Sequence, residues 1–261
     1  MNTITALAGV VLKEMYRRKD FYVLFILTAL ITVLSGTATF FDDEQITGYL
    51  KEICLLLIWI STLVISLTMA SRQIPAERES RTIFPLLAKP VTRLQVVLGK
   101  FLGCWIVAGI SVVVFYLFFG VVVGARDDAM PVAQLVQAIW LHWLMLAVVI
   151  AMAILGSVVF SAPSVSVTML FIVVVGILTI GQHLHKVAAR LAEPGQTLLA
   201  AIYFAIPHLE WAFNYRDLML FGQPPIGWGI ILVASCYWLA YTAAFLLAAW
   251  RVFDRKSLTL G

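Results

Sequence analysis

Charged side chains are scarce in this sequence, at 12% of 261 residues against roughly 25% in an ordinary soluble domain. The 18 Lys+Arg and 14 Asp+Glu leave a net charge of only +4. No basic stripe interleaved with aromatics offers a surface for nucleic acid. Cysteine is scarce too: Cys54, Cys104 and Cys236 all fall inside apolar runs, where a thiol reads as a small packing hydrophobe rather than a redox or metal group. A G-x-x-x-x-G-K-[ST] phosphate loop is missing. Its nearest fragment, Gly99-Lys100-Phe101, lacks the upstream glycine and the hydroxyl residue that would hold Mg²⁺. If nucleotide drives this protein, another polypeptide binds it.

What the sequence has instead is apolar length, with 62% of its residues hydrophobic. A helix needs roughly 20 apolar residues to cross about 30 Å of hydrocarbon. Runs of that kind occupy residues 22–41, 53–70, 101–124, 139–159, 165–181 and 228–252. None carries Asp, Glu, Lys or Arg before its last residues, and the alternation of a β-barrel is absent. The expectation is an all-α integral membrane protein of six transmembrane helices, one domain over residues 1–261. Thirteen of the 18 basic residues fall on one side of that layout, which by the positive-inside bias puts both termini in the cytoplasm.

Two segments fall outside the six runs. Residues 3–20 place Ile4, Leu7, Ala8, Val11 and Met15 on one helical face, the pattern of an N-terminal helix lying in the membrane interface. Residues 198–213 are apolar but interrupted by Pro207, His208 and Glu210. Their clean run is too short to cross unaided, so a short re-entrant or interfacial helix before the sixth span is expected.

Chemistry inside the spans is sparse. His142, between Trp140 and Trp143, reads as an interfacial residue rather than a ligand, and His183 and His185 diverge on a helix with no cysteine or acid at zinc spacing. No metal site is expected. The spans also lack the central ionisable group that marks proton-coupled carriers. Ser61, Thr62, Ser66, Thr68, Ser166 and Thr168 read as helix-packing hydroxyls, and Gly99-x-x-x-Gly103 and Gly120-x-x-x-Gly124 allow close helix approach.

The loop of residues 71–100 is the richest stretch. It holds six basic residues, and Pro75 followed by Glu77 and Glu79 suggests the first turn of a short helix across the cytoplasmic face. Pro85 and Pro90 limit its length, and Thr92 is placed to cap the next helix. Its pattern is Glu77, Arg78, Glu79, then Arg81-Thr82-Ile83, then Leu86-Leu87-x-x-Pro90-x-x-Arg93, then Gly99-Lys100. It resembles the ABC type-2 permeases, the six-span membrane subunits of ATP-driven transporters, and within them the permeases of multicopper-enzyme maturation systems. Arg81 stands where many members carry Gly.

The resemblance implies a permease of a prokaryotic cytoplasmic (inner) membrane, an exporter that is not itself an enzyme. It implies a coupling segment in which Glu77, Arg78, Glu79, Arg81, Thr82, Leu86 and Leu87 meet a separate ATPase, while Pro90, Arg93, Gly99 and Lys100 set the turn back into the membrane. The implied partners are two ATPase copies, which carry the ATP and Mg²⁺, a second permease copy or homologue, and membrane lipid. This chain would hold no cofactor. The rival readings are a non-transporting membrane scaffold or assembly factor, and a secondary transporter.

Overall fold

A computed structural model describes residues 3–17, 19–37, 43–80, 91–124, 132–188, 194–212 and 224–256. Among the described residues the helices are α1 (Thr3–Arg17), α2 (Asp20–Thr37), α3 (Asp43–Glu79), α4 (Arg93–Gly124), α5 (Val132–Val159), α6 (Pro163–Ala188), α7 (Gly195–Ala205) and α8 (Trp228–Arg255). No strand occurs among the described residues.

Among the described residues five helices, α3, α4, α5, α6 and α8, are long and apolar enough to cross a membrane. Five of the six expected runs therefore lie inside such helices. The run 22–41 falls on α2, whose apolar stretch Tyr22–Val33 is shorter than a crossing among the described residues, and residues 38–41 lie outside them. Between α6 and α8, α7 has only 11 residues, about 16 Å of helix, consistent with a segment that does not cross.

α5 is apolar around its whole circumference, and 78% of its apolar window is buried, as a central helix requires. It packs against α3, α4, α6 and α8, while α1 lies along α4, α2 along α3 and α7 along α6. Some polar groups in this core pair between helices. The Thr28 and Ser61 hydroxyls join α2 to α3 at 3.0 Å. Trp105 and Trp143 stack at 4.5 Å and exchange bonds: each indole N–H donates to the other's backbone carbonyl, at 3.2 and 2.9 Å.

His142 departs from the interfacial reading. It is buried in the bundle, its Nε2 3.1 Å from the Thr62 hydroxyl and its Nδ1 3.3 Å from the Tyr116 hydroxyl, with Trp59 stacked on the ring. The flanking tryptophans suggest an interface only in one dimension; the helical wheel turns His142 inward. Cys54 and Cys104 are buried as expected, but Cys236 is exposed on α8, most of whose circumference is left uncovered.

The interfacial face expected for residues 3–20 is the face that packs. Leu7, Ala8 and Val11 are buried against α4 at Gly99 and Gly103. A Cβ on Gly99 would stand 2.7 Å from Leu7 Cβ, and one on Gly103 would stand 2.6 Å from Val11 Cβ. This glycine spacing serves an intramolecular contact, whereas a Cβ on Gly124 would meet nothing within 4 Å.

At the end of the bundle where α8 begins, Gln137 pins the chain entering α8. Its amide donates to Ile226 O at 2.9 Å and accepts from Ile226 N–H at 3.0 Å. There too His208 Nδ1 lies 2.9 Å from Glu210 Oε1, the carboxylate rests on Gly181, and Tyr203 and Trp211 flank the imidazole. The His208 backbone N–H donates to Tyr237 Oη at 3.1 Å. Tyr237→Phe should leave that donor unpaired and cost about 1–3 kcal/mol, read as a lower midpoint of thermal unfolding in detergent.

Candidate functional site

The opposite end of the bundle gathers the charged residues that the sequence singles out. α3 ends there, α4 begins there, and the C-termini of α5 and α8 close around them. Arg81, Thr82, Leu86, Leu87 and Pro90 lie outside the described residues, so the site is built from the flanks of the segment they occupy.

The upstream flank corrects the expectation of a separate short helix. α3 runs through Pro75 without ending and continues to Glu79, with Ser80 N–H still donating to Ala76 O at 3.0 Å. Proline removes one backbone donor and crowds the preceding turn. Here Ile74 and Pro75 are buried among neighbouring helices, and packing of that kind tolerates an interior proline.

That continuous helix turns Glu77 inward. Its carboxylate forms an ion pair with Lys100, whose side chain is 4% exposed among apolar residues of α4. Glu79 and Arg72 are exposed on the same helix. Arg78 keeps two buried guanidinium nitrogens without a hydrogen-bond partner among the described residues. Of the expected docking residues, Glu77 is thus engaged within the fold and Glu79 faces outward.

The downstream flank matches expectation at Thr92. Its hydroxyl accepts the Gln95 N–H at 3.3 Å, and its own N–H donates to Gln95 Oε1 at 3.0 Å, a reciprocal capping box that starts α4. One residue later Arg93 reaches across the bundle. Its Nη1 donates to the carbonyls of Phe253, Asp254 and Lys256, the last two at 2.9 and 3.0 Å, and its guanidinium lies over the Phe253 ring at 5.5 Å. A cation against the open carbonyls of a helix C-terminus complements their partial negative charge.

Lys256 repeats the arrangement one helix further. Its Nζ donates to Val158 O and Val159 O, at 3.0 and 2.9 Å, at the end of α5. Desolvation, and then the positive charge of Arg78, hold its pKa below the ordinary lysine value. Lys256 is absent from the sequence-based set. Its only sequence signal is position, a cation just past the last span where a helix C-terminus favours one.

Between α3 and α6 at this end lies an open cleft of about 520 Å³ with a mixed lining, Thr68, Arg72 and Glu79 on one wall and Pro163, Ser164, Val167 and Thr168 on the other. Of the six hydroxyls read as packing groups, Thr68 and Thr168 line this cleft, whereas Ser61 and Thr62 are hydrogen-bonded in the core. Among the described residues no group of three His, Cys, Asp or Glu could hold a metal ion.

A bundle of membrane-length apolar helices, charged at one end and organised around a central buried helix, is a multi-pass membrane protein. The chain belongs to the ABC-2 transporter family: the family model described as ABC-2 family transporter protein matches residues 3–258. No curated protein matches the chain. Family membership makes it a membrane component of a transporter, as the loop pattern implies.

Proposed function

We propose that this chain is the permease subunit of an ATP-driven exporter in a prokaryotic inner membrane. The observation that carries it is that both flanks of segment 81–90 are fixed to the bundle, by the Glu77–Lys100 pair and by Arg93 on the α8 carbonyls. A push delivered at these flanks would pass into the packed helices α3, α4 and α8. On this reading α2 supplies the sixth crossing and both termini face the cytoplasm. The gathering of Arg72, Arg78, Arg93, Lys100, Arg255 and Lys256 at one end agrees with the positive-inside bias.

Two copies of a separate ATPase would bind ATP and Mg²⁺ and seat against residues 77–87, with Glu79, Arg81, Thr82, Leu86 and Leu87 as contacts. A second permease copy or homologue would complete the pathway. Leu86→Asp combined with Leu87→Asp should leave membrane insertion intact and abolish co-purification of an ATP-hydrolysing chain with the tagged permease. Undiminished co-purification, or no such chain with the unsubstituted protein, overturns the proposal.

A further inference from the structure

The cleft between α3 and α6 carries two charges that the fold leaves unused. Arg72 and Glu79 line the same wall, both exposed, and among the described residues neither makes an ion pair or a hydrogen bond. They stand seven residues apart on one continuous helix, about 10 Å along its axis. Because α3 ends at Glu79, the cation lies deeper in the bundle and the anion nearer its end. On the facing wall Ser164 and Thr168 present exposed hydroxyls one turn apart. The bonding of α6 opens with Ser166 N–H on Ala162 O at 3.1 Å, so the positive end of its dipole also lies at this wall.

The cleft is open, and it borders a bare apolar surface. Val165, Met169 and Ile172 form an exposed stripe one position round α6 from Ser164 and Thr168, on a helix long and apolar enough to cross a membrane. Where such a surface gives way to charge, the hydrocarbon ends and the headgroup region begins. A bilayer lipid can therefore lay its chains on the stripe and its headgroup in the cleft. That headgroup has to present an anion at the deeper level and a hydrogen-bonding cation further out. Phosphoethanolamine has that order, with its phosphodiester next to the glycerol and its ammonium beyond. A phosphoglycerol headgroup would bring Glu79 no cation, and a phosphocholine one would bring it no N–H donor.

We propose that the α3–α6 cleft is a phospholipid site selective for a phosphoethanolamine headgroup, with Arg72, Ser164 and Thr168 holding the phosphodiester and Glu79 the ammonium. Arg72 supplies the charge-assisted bonds that fix the phosphate, and Glu79 supplies the selectivity. The site goes beyond the permease reading and does not depend on it. Glu79 alone serves in both, so the test is made on the full-length chain without ATPase or nucleotide.

The permease is reconstituted in vesicles of phosphatidylethanolamine, phosphatidylglycerol and phosphatidylcholine in equal parts, released into mild detergent and weighed by native mass spectrometry. Phosphatidylethanolamine should be retained about tenfold over each of the others, the preference that one hydrogen bond to a charged group supplies. Arg72→Gln should lose the retained lipid. Glu79→Gln should keep a lipid and lose the preference, a split that misfolding does not produce. Glu79 is exposed, so this variant reads the site even should Arg72→Gln fail to fold. Arg255→Gln, at an exposed cation of the same end but outside the cleft, should change neither. Equal retention of the three lipids by the unsubstituted protein overturns the proposal, as does an undiminished preference in Glu79→Gln. Displacement of the lipid by soluble phosphoethanolamine at equal concentration would make the occupant a solute and overturn it too.

Discussion

Lys100→Met is expected to lower stability by about 3 kcal/mol, because it removes the cation of a largely buried ion pair with Glu77. The side chains are 4% and 22% exposed, so water replaces little of the lost interaction. Methionine matches the lysine stem closely, and the cost should come from charge, not from a cavity. The double variant Lys100→Met with Glu77→Gln should therefore recover most of the loss, since breaking one half of a buried pair costs more than removing both. Thermal unfolding of the two variants in the same detergent decides it. Equal midpoints for the single and double variants would mean that the carboxylate left behind by Lys100→Met carries no cost of its own.

Gly103→Leu carries the second large expectation. A Cβ there would already stand 2.6 Å from Val11 Cβ and 3.1 Å from the Ala8 Cα, so the obstruction includes backbone and cannot be relieved by a rotamer change. α1 must move off α4, exposing Leu7 and Val11. Overpacking of this kind costs about 1–3 kcal/mol, and the loss of α1 packing adds to it. Gly124→Leu, where nothing lies within 4 Å, is the matched control with an unchanged midpoint. Limited proteolysis should cut near residues 17–20 faster in Gly103→Leu and at the original rate in Gly124→Leu.

The sequence disclosed what depends on local composition. Apolar run length placed five membrane-length helices among the described residues, the apolar face of residues 3–20 included Leu7, Ala8 and Val11, which pack in α1, and Thr92 marked the start of α4. Long-range pairing was hidden. Nothing in the spacing of Arg93 shows that its guanidinium meets carbonyls 160 residues later, and Pro75 looked like a helix start because a one-dimensional reading cannot weigh the neighbours that hold a helix together across a missing hydrogen bond. Glu77 and Glu79 looked equivalent as first-turn acids. Their fates diverged because a continuous helix places residues two apart about 200° from each other, one toward Lys100 and one outward. The family match agrees with the loop pattern, and segment 81–90 itself stands outside the described residues.

The reciprocal indole bonds between Trp105 and Trp143 bear on how the chain enters the bilayer during synthesis. Each helix alone would carry an indole N–H into hydrocarbon without a partner, and unpaired polar groups are costly there. As a hairpin, α4 and α5 satisfy one another before either is surrounded by lipid. Insertion of these two helices is thus favoured as a single paired unit, and truncation of the nascent chain between them should leave α4 less firmly integrated than its hydropathy alone implies.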